Sequence, residues 1–217
     1  YYYLIEEYLC GESLYARIER TGSLQTGELI RLGIELCRIM NYLHSFKPNP
    51  ILYLDLHPGN LLICREQLKL IDFDQAALAS LSQERSVCYG TKGFAAPEQY
   101  EGGTLDERTD IYAIGALLYY MGTGHAPEGE IKAGQGSCRG DLYILMGRCL
   151  RTEKKERCQS VREVLEALEK LEARIFAERH IPLLRIAAAG SRSGIGVTHT
   201  ALGAVRYLRQ KGVSCLY

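Results

Sequence analysis

The sequence predicts an α+β fold, mainly α, that gives way near residue 179 to a short α/β segment. Three observations predict it. Apolar residues recur every three or four positions over 26–44, 141–150 and 160–177, the period of helices with one buried face. Two short apolar runs, 61–64 and 68–71, flank a polar turn at Arg65-Glu66-Gln67, which reads as a hairpin. Residues 186–198 run from an apolar stretch into a Gly-rich turn, with a helical pattern over 200–210 and a second apolar run at 213–217. The chain has 217 residues, enough for one fair-sized domain and a piece of another.

From the N-terminus, residues 1–9 form a strand-like apolar run that turns acidic at Glu6-Glu7, and Gly11 breaks it. A short amphipathic helix over 13–20 ends at Thr21-Gly22. Thr26 is placed to N-cap the next helix, with Glu28 favourable in its first turn. Leu29, Leu32, Leu36, Ile39, Met40 and Leu43 supply that helix's apolar face, and Pro48 and Pro50 bar its continuation. Residues 74–107 show no sustained period, so a long irregular segment is expected there. The run 111–121 is apolar nearly all round, the pattern of a helix buried at the centre of a domain. Residues 122–140 carry six glycines and read as loop. Ser160 and Glu163 have capping-box spacing ahead of the last long helix.

Composition excludes several classes. Lys+Arg and Asp+Glu are both 26, so the chain as a whole has no electrostatic grip on nucleic acid or an anionic membrane. A hydrophobic share of 47% with 24% charged residues excludes wholesale disorder. No apolar run approaches the roughly 20 residues that span a bilayer. The eight cysteines include no Cys-x-x-Cys pair, so single buried thiols in a reducing cytoplasm are expected, with no metal–thiolate site. The chain opens on Tyr1-Tyr2-Tyr3 without Met or a basic leader, and reads as an internal fragment.

Chemistry concentrates at Asp55, Asn60 and Asp72. Asp55 and Asn60 flank a Pro-Gly turn, and Asp72 follows a predicted strand. A carboxylate and an amide oxygen suit hard Mg2+ when phosphate oxygens and waters complete its shell.

Here the chain resembles a protein kinase, specifically the C-terminal lobe of the bacterial, eukaryotic-like Ser/Thr kinases. The resemblance covers about residues 1–178 and rests on motifs in order. Tyr53-Leu54-Asp55-Leu56-His57-Pro58-Gly59-Asn60 resembles the catalytic loop, Asp72-Phe73-Asp74 the metal-binding D-F-G, and Gly90-Thr91 through Ala96-Pro97-Glu98 the end of the activation segment. The resemblance implies Asp55 as catalytic base, Asn60 and Asp72 as Mg2+ ligands, and His57 where the family has a Lys near the γ-phosphate. It implies Glu6 as gatekeeper, Glu7 and Leu9 as backbone partners of adenine, Ser13 near the ribose and Leu62 as the adenine floor. It also pairs Arg157 with Glu98, and sets Asp110 to hold the catalytic-loop backbone. Cofactors are then ATP and Mg2+, and the partner is a protein presenting Ser or Thr, with no nucleic acid and no membrane segment. The alternative is a pseudokinase, a regulatory binding module on the same fold.

Departures from the pattern sharpen the expectations. Leu54 replaces the Arg that reads an activation-loop phosphate, which implies activity independent of that phosphorylation. His57 is either a partial substitute for the Lys or a polar loop residue. Asp74 replaces a Gly, and Asp tolerates a left-handed backbone better than most residues. The Gly-rich loop and ATP-anchoring Lys of the N-lobe are not among these residues, so efficient catalysis is expected only of the parent protein. The tail from 179 resembles the start of a partition-type P-loop ATPase, although Val197 stands at its Lys position before Thr198 and Arg192 at its upstream Lys. It is a nucleotide site or a plain βα unit with a tight turn.

Overall fold

Ser13 sets the first helix. In the computed structural model, which describes residues 7–81, 90–128 and 140–179, its hydroxyl accepts the Ala16 N–H at 3.1 Å and opens α1 (Leu14–Thr21). Leu14 and Ile18, one turn apart, are buried, and Gly22 closes the helix at φ 76°, a conformation open to Gly at no steric cost. Helix α2 (Thr26–His44) follows. Its cap position is Gln25, whose backbone is extended and whose side chain makes no capping bond. Thr26, expected as the cap, is instead the first helical residue, with Glu28 in the first turn as expected.

Strand β1 (Glu12–Ser13) pairs with β3 (Leu61–Cys64), which pairs in turn with β4 (Gln67–Leu70), all antiparallel. The hairpin register runs from Leu61 opposite Leu70 to Cys64 opposite Gln67. Its two-residue turn, Arg65-Glu66, has φ of 49° and 67°. Two left-handed residues match the strand twist but suit Asn-Gly far better than Arg-Glu. Helix α2 holds the turn in place. Arg31 donates to the Glu66 carbonyl and pairs with its carboxylate at 3.3 Å, while Glu35 accepts the Leu68 N–H at 2.7 Å. A second ladder joins β2 (Ile51–Leu52) to β5 (Ala77–Leu78). The segment 74–107 is thus not wholly irregular. It also contains α3 (Pro97–Glu101).

Helix α4 (Glu107–Thr123) is the expected central helix, buried on almost every side through Ile111, Ile114, Leu117, Leu118 and Met121. Asp106 caps it, accepting the Arg108 N–H at 2.9 Å, so Asp110 lies inside the first turn rather than at its opening. Helices α5 (Gly140–Cys149) and α6 (Val161–Arg179) complete the core, with α2 packed on α6 and α4, and α4 on α5. Gly33 of α2 permits this close packing, since a Cβ there would lie 2.7 Å from Leu118 and 3.2 Å from Leu168. Each Leu or Ile so enclosed contributes about 1.5–3 kcal/mol. The capping box at α6 is half formed. Ser160 Oγ accepts the Glu163 N–H at 3.2 Å, but the Glu163 carboxylate accepts from Gln159 rather than from Ser160.

The thiols depart from expectation. Cys37 is buried, Cys64 half-buried and Cys10 exposed, while Cys149 and Cys158 are buried as a pair with sulfurs 3.9 Å apart. Glu6, Cys88, Cys138, Cys215 and the whole Gly-rich tail lie outside the described residues. Among the described residues, no helix is long and apolar enough to cross a membrane.

Candidate active site

The site is built on an unusual peptide. Leu54 has φ 66°, a left-handed conformation that a branched side chain rarely adopts. Three side chains hold it there. Asp110, 1% exposed, accepts the N–H groups of Tyr53 at 2.9 Å and Leu54 at 2.8 Å, and His44 lies 2.8 Å from the same carboxylate. Gln99 donates to the Leu54 carbonyl at 2.8 Å and accepts the Ala96 N–H at 2.9 Å. The peptides before and after Leu54 are therefore both tied, and Asp55 is the next residue. The Leu54 side chain points away into an apolar cluster with Leu52 and Leu105, against which Ala77 and Ala79 pack. No cation stands at this position, which the resemblance assigns to an Arg.

Asp55 is the centre of the polar groups. Its Oδ1 accepts from Thr91 Oγ1 at 3.0 Å, its Oδ2 lies 3.8 Å from His57 Nε2, and its carbonyl accepts from Asn60 Nδ2 at 3.1 Å. His57 Nδ1 accepts the Gly59 N–H at 3.1 Å, which places the proton of a neutral ring on the nitrogen facing Asp55. This cap opens a 3-10 turn, Pro58–Asn60, which carries Asn60.

Asp72 is brought in through the backbone. The Ile71 N–H donates to the Asn60 carbonyl at 3.0 Å, and the Tyr53 hydroxyl donates to the Ile71 carbonyl. The ring of Phe73 meets Tyr53 edge-on at 5.3 Å. Asp72 itself has φ 63°, and its Oδ1 accepts the Asp74 N–H at 3.2 Å. The left-handed residue is therefore Asp72, while Asp74, expected to need that freedom, is not among the positive-φ residues. Tyr53 registers the charge gathered here. Its phenol is pushed above the ordinary value, by burial first and then by the carboxylates of Asp72, Asp55 and Asp110. Asp55 and Asn60 are bonded directly, and Asn60 is bonded to the Ile71 peptide next to Asp72, so residues 17 positions apart from first to last are tied together.

These donors fit a hard divalent cation. The Asn60 amide nitrogen is engaged with Asp55, which leaves oxygen as the amide's other terminal atom, and Asp72 adds a carboxylate. Among the described residues, no group of three His, Cys, Asp or Glu side chains forms a self-sufficient cage.

Beside the site, Arg157 and Glu98 form a buried two-pronged pair at 2.7 and 2.8 Å. Thr109 donates to the same carboxylate at 3.0 Å, and the guanidinium also reaches the carbonyls of Arg108, Arg151 and Thr152 and stacks over Tyr112 at 5.0 Å. Burial alone would raise the Glu98 carboxyl; the Arg157 hydrogen bonds outweigh it and hold the group below its ordinary value.

The residues expected around a nucleotide base are more loosely assembled. Ser13 and Leu62 are direct partners across the β1–β3 ladder, but the Ser13 hydroxyl caps α1. Glu7 is exposed and Leu9 half-buried, both in irregular backbone. Sequence reasoning missed Gln99 and His44. Each acts on a residue 45 or 66 positions away, so local spacing carried no signal.

Comparison with known proteins gives the family. The protein kinase domain family matches residues 1–178. The chain is 29% identical to integrin-linked protein kinase 1 of Arabidopsis thaliana over 88% of its own length and 42% of that protein. It is 28% identical to serine/threonine-protein kinase A of Synechocystis over 81% of its length and 39% of that protein. It is 35% identical to mouse sperm motility kinase 3A, over 58% of the chain and 25% of that protein. The chain thus spans less than half the length of these relatives. With that match covering most of its length, the chain belongs to the protein kinase domain family.

Proposed function

We propose that the protein containing this chain is a Ser/Thr kinase, transferring the γ-phosphoryl group of ATP to a protein hydroxyl. The observation that supports this is the bonding of Asn60 to the Asp55 carbonyl and of the Ile71 peptide, next to Asp72, to the Asn60 carbonyl, with Thr91 bonded to Asp55. Asp55 serves as the base that accepts the substrate hydroxyl's proton, and Thr91 orients the carboxylate for it. Asn60 and Asp72 hold Mg2+, which when bound neutralises charge on the phosphate oxygens. His57 shapes the loop through Gly59 and faces Asp55, so its part is to position the base rather than to act as a free cation on the phosphate. Leu62 forms part of the floor under adenine, with Glu7 and Leu9 offering backbone groups and Ser13 at the edge. Leu54, buried among alkyl groups, supplies no charge to read a phosphate, so turnover does not depend on phosphorylation of the activation segment.

A pseudokinase reading draws on the same Leu54 and on the Ser13 hydroxyl already committed to a helix cap. Phosphotransfer from labelled ATP by the full-length protein, beside Asp55→Asn, separates the two. A kinase loses signal by roughly a thousandfold or more in the variant. Equal signal from both proteins refutes the enzyme reading.

A further inference from the structure

The buried thiol pair lies outside the site just described and has no part in its chemistry. We infer that Cys149 and Cys158 are a redox-modification site, which a peroxide-class oxidant converts into an intramolecular disulfide stapling the segment that carries Arg157.

Cys149 ends α5, and Cys158 stands three residues before α6. Their sulfurs are 3.9 Å apart and need to approach to roughly 2.05 Å. The eight residues between them already fold back on themselves. Arg157 donates to the Arg151 and Thr152 carbonyls, its own N–H to Lys154, and the Glu156 N–H to Glu153. The segment between them is therefore already folded back in the reduced protein. The two sulfurs are also unequal. Cys149 donates its S–H to Cys158, and the Arg148 guanidinium lies near both, so Cys158 is held below the ordinary thiol value while Cys149 is pushed above it. Cys37, on α2, is also within electrostatic range of Cys158, but burial pushes its thiol up and leaves it the poorer nucleophile.

The step balances as follows. The Cys158 thiolate attacks one peroxide oxygen; an S–O bond forms, the O–O bond breaks, and the departing oxygen leaves as water with the proton Cys158 gave up. Cys149 sulfur then attacks the sulfenic sulfur; the S–S bond forms, the S–O bond breaks, and the hydroxyl leaves as water with the Cys149 proton. The two thiols lose two electrons and two protons, and hydrogen peroxide gains both. Burial of both sulfurs favours an oxidant of this size, admitted by local opening, over a bulky disulfide reagent.

The test is independent of phosphotransfer and stands whichever reaction the protein performs. The protein is treated with hydrogen peroxide, remaining thiols are alkylated, and a tryptic digest is mapped without reduction. The expected species joins the peptide Cys149–Arg151 to the peptide starting at Cys158, is two hydrogens lighter than their sum, and separates on adding dithiothreitol. The oxidised protein melts roughly 5–10 °C higher, as closure of a short loop in a domain of this size implies, and Cys149→Ser loses that rise. The map on the unsubstituted protein needs no variant to fold. Finding both cysteines alkylated after Cys10 has oxidised, or Cys158 joined to Cys37, overturns the assignment.

Discussion

The Gln99 amide accepts from the Ala96 N–H through its oxygen and donates to the Leu54 carbonyl through its nitrogen. Gln99→Glu keeps the acceptor, loses the donor, and sets a carboxylate against a carbonyl in a site 1% exposed. The expected cost is about 1–3 kcal/mol of stability, read from urea denaturation. Because Leu54 then relaxes from its left-handed state and takes Asp55 with it, turnover falls roughly tenfold at unchanged KM for ATP. A loss of stability with kcat intact would show that Gln99 supports the fold without aiming the base. His57 invites a second substitution. A Lys at 57 cannot accept the Gly59 N–H, so His57→Lys slows turnover in steady-state assays, even though it restores the residue the resemblance leads one to expect. An increase in rate would instead mean that charge at this position outweighs the turn.

At the scale of elements, the Glu98–Arg157 pair joins α3 to the segment before α6. Removing one partner strands the other in the interior, so Arg157→Met lowers stability by about 3–5 kcal/mol, measurable by denaturant titration. Acid acts on a neighbouring joint as well. Burial alone would raise the Asp106 carboxyl, yet bonds from the Arg108 side chain and N–H and from Lys154 bring it from 3.8 to about 2. A depressed folded pKa means the unfolded chain binds more protons in that interval. The stability from Asp106 is therefore complete above about pH 4 and is lost as pH falls toward 2. Glu98 adds a loss of the same sign below its own ordinary value. In Asp106→Asn the urea midpoint changes less steeply across that range; an identical slope would remove Asp106 from the acid response.

For the whole molecule, much was readable because helix periodicity and burial coincide. The stripes over 26–44, 111–121 and 160–177 each became a helix of the core, and the hairpin over 61–70 formed in a single register. Asp55, Asn60 and Asp72 stand out by order and spacing. What escaped were contacts whose partners are set by folding: Gln99 on Leu54, His44 on Asp110, and Cys149 beside Cys158. The Gln25 boundary escaped for a different reason. Thr26 is the better capping residue, but the backbone turns one position earlier. Leu54 also has a further consequence. Its alkyl group is packed with Leu52, Leu105 and two alanines, so Leu54→Arg would drive a guanidinium into an apolar cluster. A single substitution here therefore does not install control by an added phosphate. The cluster would have to be rebuilt first.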